Sequence, residues 1–437
     1  MNILCASLDV LFLGLVAPLS PGRLRSMKAS QDVDVCVVGA GPVGATLAAR
    51  LAGAGVKTAV VDAAPLPPME MAAFDGRAYA IALTSKRLLE AAGVWERLPV
   101  EPCPILGIRV ADGRPGEAPS PLSLHFDHAA LGEDPFGWMV EARSLRIALN
   151  AHLPKLANLA VHAPAKAEVT RDTDGATITL STGAQFRARL VVGAEGRNSP
   201  LRAAAGIRVS RLDYHCMGLV GSIAHEKPHR NMALEQFLPH GPFAQLPMPA
   251  LPEHPNVSAI VWTDKTAIAE RCLAMDDAAY GREIARRLGG HLGWVKPIGR
   301  RWSYPLSAMH AARYVDTRMA LVGDAAHGIH PIAGQGLNLG FRDVDALASL
   351  VIEAVARGDD PGGAALLARY QAKRRPDSLL MLGATHVLER LFANDIAPIR
   401  IARRLGIGAV DRMPRLKNFF ARQAMGMNSS AGALIGR

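Results

Sequence analysis

The stretch VDVCVVGAGPVGATLAARLAGAGVKTAVVDAAP, residues 33–65, decides the fold. Val33 to Val38 is a short, mostly apolar run rich in valine, as expected of a buried strand. Gly39-Ala-Gly41-Pro-Val-Gly44 breaks the run, an alanine-rich helical segment follows, and a second strand, Thr58 to Val61, ends at Asp62. Strand, glycine turn, helix and strand joined by short connections make a βαβ unit, the start of a parallel sheet. In a G-x-G-x-x-G turn Gly39, Gly41 and Gly44 serve a tight turn, close approach of a pyrophosphate, and packing of helix on strand. The free N–H groups and dipole of the helix N-terminus favour the phosphates. Asp62 suits both hydroxyls of an adenosine ribose and argues against a 2′-phosphate. A glycine turn serving only packing would leave Asp62 unexplained, so the expected ligand is a dinucleotide, FAD or NAD.

Farther along, the pattern predicts helices near 81–92 and 144–156, a proline-rich loop over 99–121, and strands at 165–170 and 176–181. A buried strand, LVVGA, comes next. From about 208 to 305 short apolar strands alternate with proline-rich turns around one amphipathic helix near 276–288, which reads as an antiparallel sheet. RMALVGDAAH returns to a buried strand, and the chain after Gln335 reads helical. The fold class expected is α/β: a Rossmann-like, parallel-sheet FAD-binding domain interrupted by an antiparallel-sheet substrate domain, with a helical C-terminal region. The divisions are 1–32 extension, 33–110, 143–207 and 306–357 nucleotide domain, 111–142 substrate-side segment, 208–305 substrate domain, and 358–437 C-terminal helices.

Composition bounds the partners. The chain has 437 residues, 49% hydrophobic and 20% charged, and a net charge of +10. That composition excludes wholesale disorder, and the charge points to an acidic partner such as a nucleotide or an anionic membrane surface. No basic block interleaved with aromatics suggests nucleic acid. Five scattered cysteines show no ligand spacing, a reduced pattern. LFLGLVAPL, residues 11–19, is too short to span a bilayer and lacks the preceding basic residues of an export signal. Met27 offers an alternative start near the first strand.

The segment GDAAHGIHPIAGQGLNLGFRD, residues 323–343, narrows the ligand. Asp324 at a strand end suits the ribityl hydroxyls of a flavin. Gly334-Gln335-Gly336 then opens a helix through Leu337 and Asn338, whose N–H groups suit the negative charge of a reduced isoalloxazine. His327 and His330 have no third ligand near them, so no metal is expected, and capping or packing explains them.

These stretches resemble the aromatic-hydroxylase class of flavin monooxygenases, and within it the ubiquinone-biosynthesis hydroxylase family. The likeness runs from about Val33 to the end, and FDGRAYAIALTSKRLLEAAGVWERL and AMGMNSSAGALIGR are specific to it. It implies that FAD lies on the Gly39–Gly44 turn and the Gly323-Asp324 loop. Glu195-Gly196-Arg197 would lie near the cofactor and the approach of the nicotinamide donor. Pro331 and His330 would border the flavin where oxygen reacts, and Arg77 would stand near flavin and substrate; a solvated surface arginine is the alternative for Arg77. Two departures stand out: Glu195 where the family has Asp, and Ala142 where it offers an amide, with Arg143 as the substitute.

The activity implied is hydroxylation of a polyprenylated phenol in ubiquinone biosynthesis. NAD(P)H reduces FAD transiently, O2 yields a flavin C4a-hydroperoxide, and the electron-rich ring takes the distal oxygen while the protein excludes water. The expected partners are the polyprenyl phenol, O2, an anionic membrane surface and other ubiquinone-biosynthesis proteins, with no nucleic acid. The expected location is cytoplasmic, peripheral on the inner face of the membrane. The alternatives are a soluble hydroxylase of a small phenol, a flavin reductase of prenyl double bonds, and a non-catalytic FAD-binding subunit of a quinone-biosynthesis complex.

Overall fold

The computed structural model describes residues 32–66, 74–121, 123–329 and 335–392, with scattered positions between 413 and 425. Expectations for the first 31 residues lie outside these.

Val33–Val38 is central in the first sheet, parallel to Thr58–Val61 on one side and to Gln185–Gly193 on the other. Leu159–His162 and Met319–Leu321 extend the parallel order outward, so the strand before Gly323 completes the sheet that residue 33 began. Val35, Cys36 and Val37 are fully buried, which is why apolar residues occupy both faces of this strand. Burial also pushes the Cys36 thiol up to about 12, leaving it a small apolar filler. Helix Pro42–Gly53 covers the sheet with Leu47, Ala48 and Leu51, and Pro42 sits in its first turn, where a missing N–H is harmless.

The second sheet is built on two 17-residue strands, Val209–His225 and Val295–Ala311. Val257–Lys265, Gly241–Met248 and Met232–Leu238 follow in order, then Gly107–Asp112 and Ser123–Asp127. On one face Leu219, Phe243, Ile260 and Trp262 pack against helices Thr266–Ala274 and Asp277–Leu288. On the other, Ala233, Met248 and Ala259 meet Met139 and Ile105 of a three-stranded sheet formed by Ala78–Ala82, Gly137–Glu141 and Cys103–Ile105. The first sheet pairs mainly in parallel and the second mainly antiparallel, as the fold class requires.

The proline-rich 99–121 is not all loop. Cys103–Ile105 is a strand at the edge of the small sheet, where Pro104 costs no central ladder bond. Gly107–Asp112 pairs in parallel with Met232–Leu238, more than a hundred positions away, and a local pattern carries no trace of such a partner. The helix expected from 81 starts at Leu83, because Ala78–Ala82 is a strand. The helix expected near 144 starts at Ala142, and the one at Thr266–Ala274 went unforeseen. Beyond residue 335 the described chain forms helices Gln335–Arg357 and Ala364–Phe392. No helix among the described residues is long and apolar enough to cross a membrane.

Candidate functional site

The three glycines of the first turn are there for different reasons. Gly39 has φ +102°, and a Cβ on it would stand 2.5 Å from the Ala194 carbonyl oxygen; one on Gly44 would stand 2.0 Å from the Gly39 oxygen. Both positions are closed by the protein itself. Gly41 caps the helix at φ −61°, ψ 173°, a conformation open to other residues, and an added Cβ would meet no protein atom within 4 Å. The room beside Gly41, under an uncapped helix N-terminus with no acid in its first turn, suits a pyrophosphate.

Asp62 fixes this loop. Its carboxylate accepts the Ala40 N–H at 2.7 Å and the Ala64 N–H at 2.8 Å, and each oxygen keeps lone-pair capacity for a ribose hydroxyl. Arg146, which the sequence reading passed over, donates to the Ala40 carbonyl at 2.7 Å from helix Ala142–His152. Burial lowers its pKa against the pull of Tyr79 and Asp62, yet a guanidinium remains a cation. The signal for it was spacing: Arg146 is one helical turn beyond Ala142 and shares its face. Arg143 stands instead beside Glu141, Nε to Oε2 at 4.0 Å, and burial pushes the Glu141 carboxyl up against the pull of Arg143.

The second glycine segment packs onto the same turn. Gly323, at φ +58°, would bring a Cβ within 3.2 Å of both Val43 methyls, and one on Gly340 would lie 2.8 Å from Val43 Cγ2. Glycine therefore lets the Asp324 loop and helix Gln335–Arg357 close on the first turn of helix Pro42–Gly53, which brings the two predicted halves of the flavin site together. The Asp324 carboxylate is half exposed and accepts from Arg197 Nε at 3.3 Å, while Arg197 Nη1 donates to Ser307 Oγ at 2.9 Å. Buried Arg202 donates to the carbonyls of Ala325 and Arg197. Beneath the loop, Asp343 accepts the Gly323 N–H at 2.9 Å and pairs with His327 Nε2 at 2.6 Å and Arg374 Nε at 2.7 Å. Burial opposes the ionisation of Asp343, but His327 and Arg374 outweigh it and hold the carboxyl below its ordinary range.

Helix Gln335–Arg357 opens at the predicted place, and nothing lies within 4 Å of a Cβ added to Gly336. Leu337 packs against the main core. The Asn338 side chain is used within the protein: Oδ1 accepts the Ala82 N–H at 2.9 Å and Nδ2 donates to the Ala80 carbonyl at 2.8 Å, clamping strand Ala78–Ala82. Any part Asn338 has at a flavin falls to its backbone. His330, Pro331 and Gly334 lie outside the described residues. His327 is engaged by Asp343, and among the described residues no group of three His, Cys, Asp or Glu is placed to hold a metal.

Arg77 is held rather than loosely solvated. Its Nε donates to Asp75 Oδ2 at 2.8 Å and its guanidinium lies 4.2 Å over the Trp302 ring. The Glu195 carboxylate is engaged within the protein. It accepts from Ser199 Oγ and from the Leu201 N–H at 3.3 Å, at the start of helix Pro200–Ala204, and burial raises its pKa despite those bonds. Gly196, at φ +82°, makes the turn beside it.

Comparison with known proteins matches residues 32–382 to a family described as FAD binding domain. The chain is 49% identical to ubiquinone hydroxylase UbiL of Rhodospirillum rubrum, covering 96% of each protein. It is 34% identical to 3-demethoxyubiquinol 3-hydroxylase of Escherichia coli, over 91% of this chain and all of that one. Among solved structures, p-nitrophenol 4-monooxygenase PnpA of Pseudomonas putida shares the fold, with a TM-score of 0.71 at 19% identity, over 91% of this chain and 98% of that one.

Proposed function

The chain belongs to the FAD-binding-domain family and is an FAD-dependent monooxygenase; from that premise we propose that it hydroxylates the ring of a polyprenylated phenol on the way to ubiquinone. The names of its relatives and the room beside Gly41 support the reading. Gly39, Gly41 and Gly44 would seat the pyrophosphate, with Arg146 supplying positive charge, and Asp62 would take the adenosine ribose. Asp324 and the N-terminus of helix Gln335–Arg357, at Gln335, Gly336 and Leu337, would face the ribityl chain and ring. Bound FAD supplies the electron transfer and oxygen activation that side chains lack. NAD(P)H and O2 enter, one oxygen atom joins the ring, and the other leaves as water with the two electrons of the donor. The protein's part is to orient the ring and exclude water. A peripheral position on an anionic membrane fits the net charge of +10 and a lipid-tailed substrate.

The single observation that carries the reading is the glycine at 41, whose smallness no atom of the described residues explains. Purified protein loaded with FAD and supplied with NAD(P)H, O2 and 2-octaprenylphenol in detergent should give a product 16 mass units heavier (the mass of one oxygen atom is about that). Oxidation of NAD(P)H with no such product from this or any smaller phenol would remove the reading. Hydroxylation of small phenols only would replace the substrate class.

A further inference from the structure

Glu235 is an acid set among apolar residues. It sits in the middle of strand Met232–Leu238, paired across the ladder with Ala244 and Val110, and flanked on its own face by Ala233 and Phe237, both buried. Alternation carries the same face across the sheet through Val261 and Val220 to Trp302. This is the face turned toward the FAD unit. Trp302 Nε1 donates to the Asp75 carbonyl at 2.8 Å, and Ser222, one row over, donates to the Gly76 carbonyl at 3.2 Å. Ala233 packs in one cluster with Ala78 and Ala80, the strand that Asn338 clamps to the helix opening at the flavin loop.

Among the described residues the Glu235 carboxyl has neither a hydrogen-bond nor an ion-pair partner, although neighbouring atoms enclose it and burial alone pushes its pKa up to about 7. The residue still keeps some accessible surface. A buried carboxyl left without a partner costs stability, and such a group calls for a ligand.

We propose that Glu235 is the base that hydrogen-bonds the hydroxyl of the phenolic substrate and takes its proton during ring hydroxylation. The inference rests on the proposed function above. As the ring's electron pair forms the new carbon–oxygen bond, the phenolic O–H breaks, its proton passes to a Glu235 oxygen, and its electron pair enters the ring. The O–O bond breaks as the ring takes one oxygen atom, and the ring C–H proton goes to the other, which leaves as water. Aromaticity is restored, and Glu235 returns its proton to the ring oxygen. A carboxylate near 4.3 is a poor match for a phenol near 10 (roughly six units apart), whereas the raised value about halves the gap. By strand alternation the same face of the sheet carries Asp112 on the flanking strand and, farther across, Cys216, Lys265, Lys296 and Tyr304, while the small sheet opposite presents Cys103 and Glu141.

The test compares the FAD-loaded wild type with Glu235→Gln, using 2-farnesylphenol as the probe. Glutamine keeps the shape and a hydrogen bond but cannot accept a proton. FAD content and melting temperature should be unchanged or slightly higher. Calorimetric titration near pH 7 in two buffers of different ionisation enthalpy should show release of a fraction of a proton by the wild type and none by the variant. Single-turnover hydroxylation should fall about a hundredfold or more, with the oxygen lost as H2O2. Equal proton release, or hydroxylation within threefold of wild type, would overturn the role of Glu235. A wild type that binds and hydroxylates no farnesylphenol would remove the parent reading and this proposal with it, an outcome distinct from a normal wild type beside an unaffected variant.

Discussion

Asp343, fully buried on helix Gln335–Arg357, holds the backbone N–H of Gly323 at 2.9 Å, so the loop carrying Asp324 hangs from a carboxylate twenty residues downstream. The same carboxylate neutralises Arg374 on the last long helix. One buried charge thus ties the proposed ribityl loop to the C-terminal region.

Asp343→Asn should therefore damage both fold and cofactor site. It leaves the Arg374 guanidinium short of a partner in the core, and breaking a buried pair on one side costs about 3–5 kcal/mol. Chemical denaturation should show a loss of that order, with FAD released earlier along the curve than from the wild type. A variant as stable as its parent would show that Asp377, which also bonds Arg374, suffices.

His310 gives the stability a pH dependence of known sign. Burial, with Arg375 and His327 adding, pushes its pKa down to about 4, and the Tyr314 hydroxyl lies 2.9 Å from Nε2, as suits a neutral ring. Its folded value is below the unfolded one, so its contribution is intact above about pH 6.5 and is lost as the pH falls toward 4. The ceiling is on the order of 3 kcal/mol. Glu235 acts oppositely over part of this window, since a raised carboxyl favours the folded state as it protonates. The clean measurement is thus a difference: melting temperatures from pH 7 to 4.5 should fall more steeply for the wild type than for His310→Gln. Parallel curves would assign the acid sensitivity elsewhere.

Glu195→Asp tests where that carboxylate works. Because it accepts from Ser199 and Leu201, shortening it should loosen the start of helix Pro200–Ala204, at a cost of roughly 1 kcal/mol. Anaerobic stopped-flow reduction by NAD(P)H should proceed at the wild-type rate. A changed rate at unchanged stability would return Glu195 to the nicotinamide's path.

The residues that were legible in sequence are those whose partners are close along the chain. Val33 to Asp62 reads correctly because strand, turn, helix and strand follow one another, although the atom that closes Gly39 belongs to Ala194, far along the chain. Glu195 marks a limit of the sequence, which says only that it adjoins Gly196, whereas its bonding partners are chosen by the turn's geometry. Glu235 sits in a run, MALEQFL, that alternates well enough for a strand. Pairing with Gly107–Asp112 on one side and Gly241–Met248 on the other makes that strand internal to the sheet, and the layer packed on its face comes from distant segments. Arg146 was hidden differently. It lies one helical turn beyond Ala142, and the contact that gives it meaning, the Ala40 carbonyl, is 106 positions away in sequence.

Arg146→Ala should weaken FAD binding without unfolding the protein. The guanidinium both steadies the Ala40 carbonyl and brings positive charge to the place proposed for the pyrophosphate. A charge-assisted bond of this kind is worth about 1.5–3 kcal/mol, or roughly ten- to a hundredfold in Kd. Fluorescence titration of apoprotein with FAD measures it. Unchanged affinity would confine Arg146 to packing.

The glycine turn allows the sharpest separation of ligand from fold, through Gly41→Ala and Gly44→Ala measured side by side. At Gly44 a methyl would lie 2.0 Å from the Gly39 carbonyl oxygen and 2.9 Å from Ala194 Cβ, so helix and strand must part. Overpacking of this kind typically costs 1–3 kcal/mol or more, and the apoprotein itself should melt lower. At Gly41 the backbone is already in a region open to alanine, and the methyl meets no protein atom within 4 Å. The Gly41→Ala apoprotein should melt within a degree or two of the wild type, a shift worth less than about 0.5 kcal/mol. Its affinity for FAD should nevertheless fall at least tenfold, because the methyl occupies the space where a phosphate must approach the backbone. Loss of stability in both variants would make Gly41 a structural glycine; loss of affinity in neither would move the pyrophosphate off this turn.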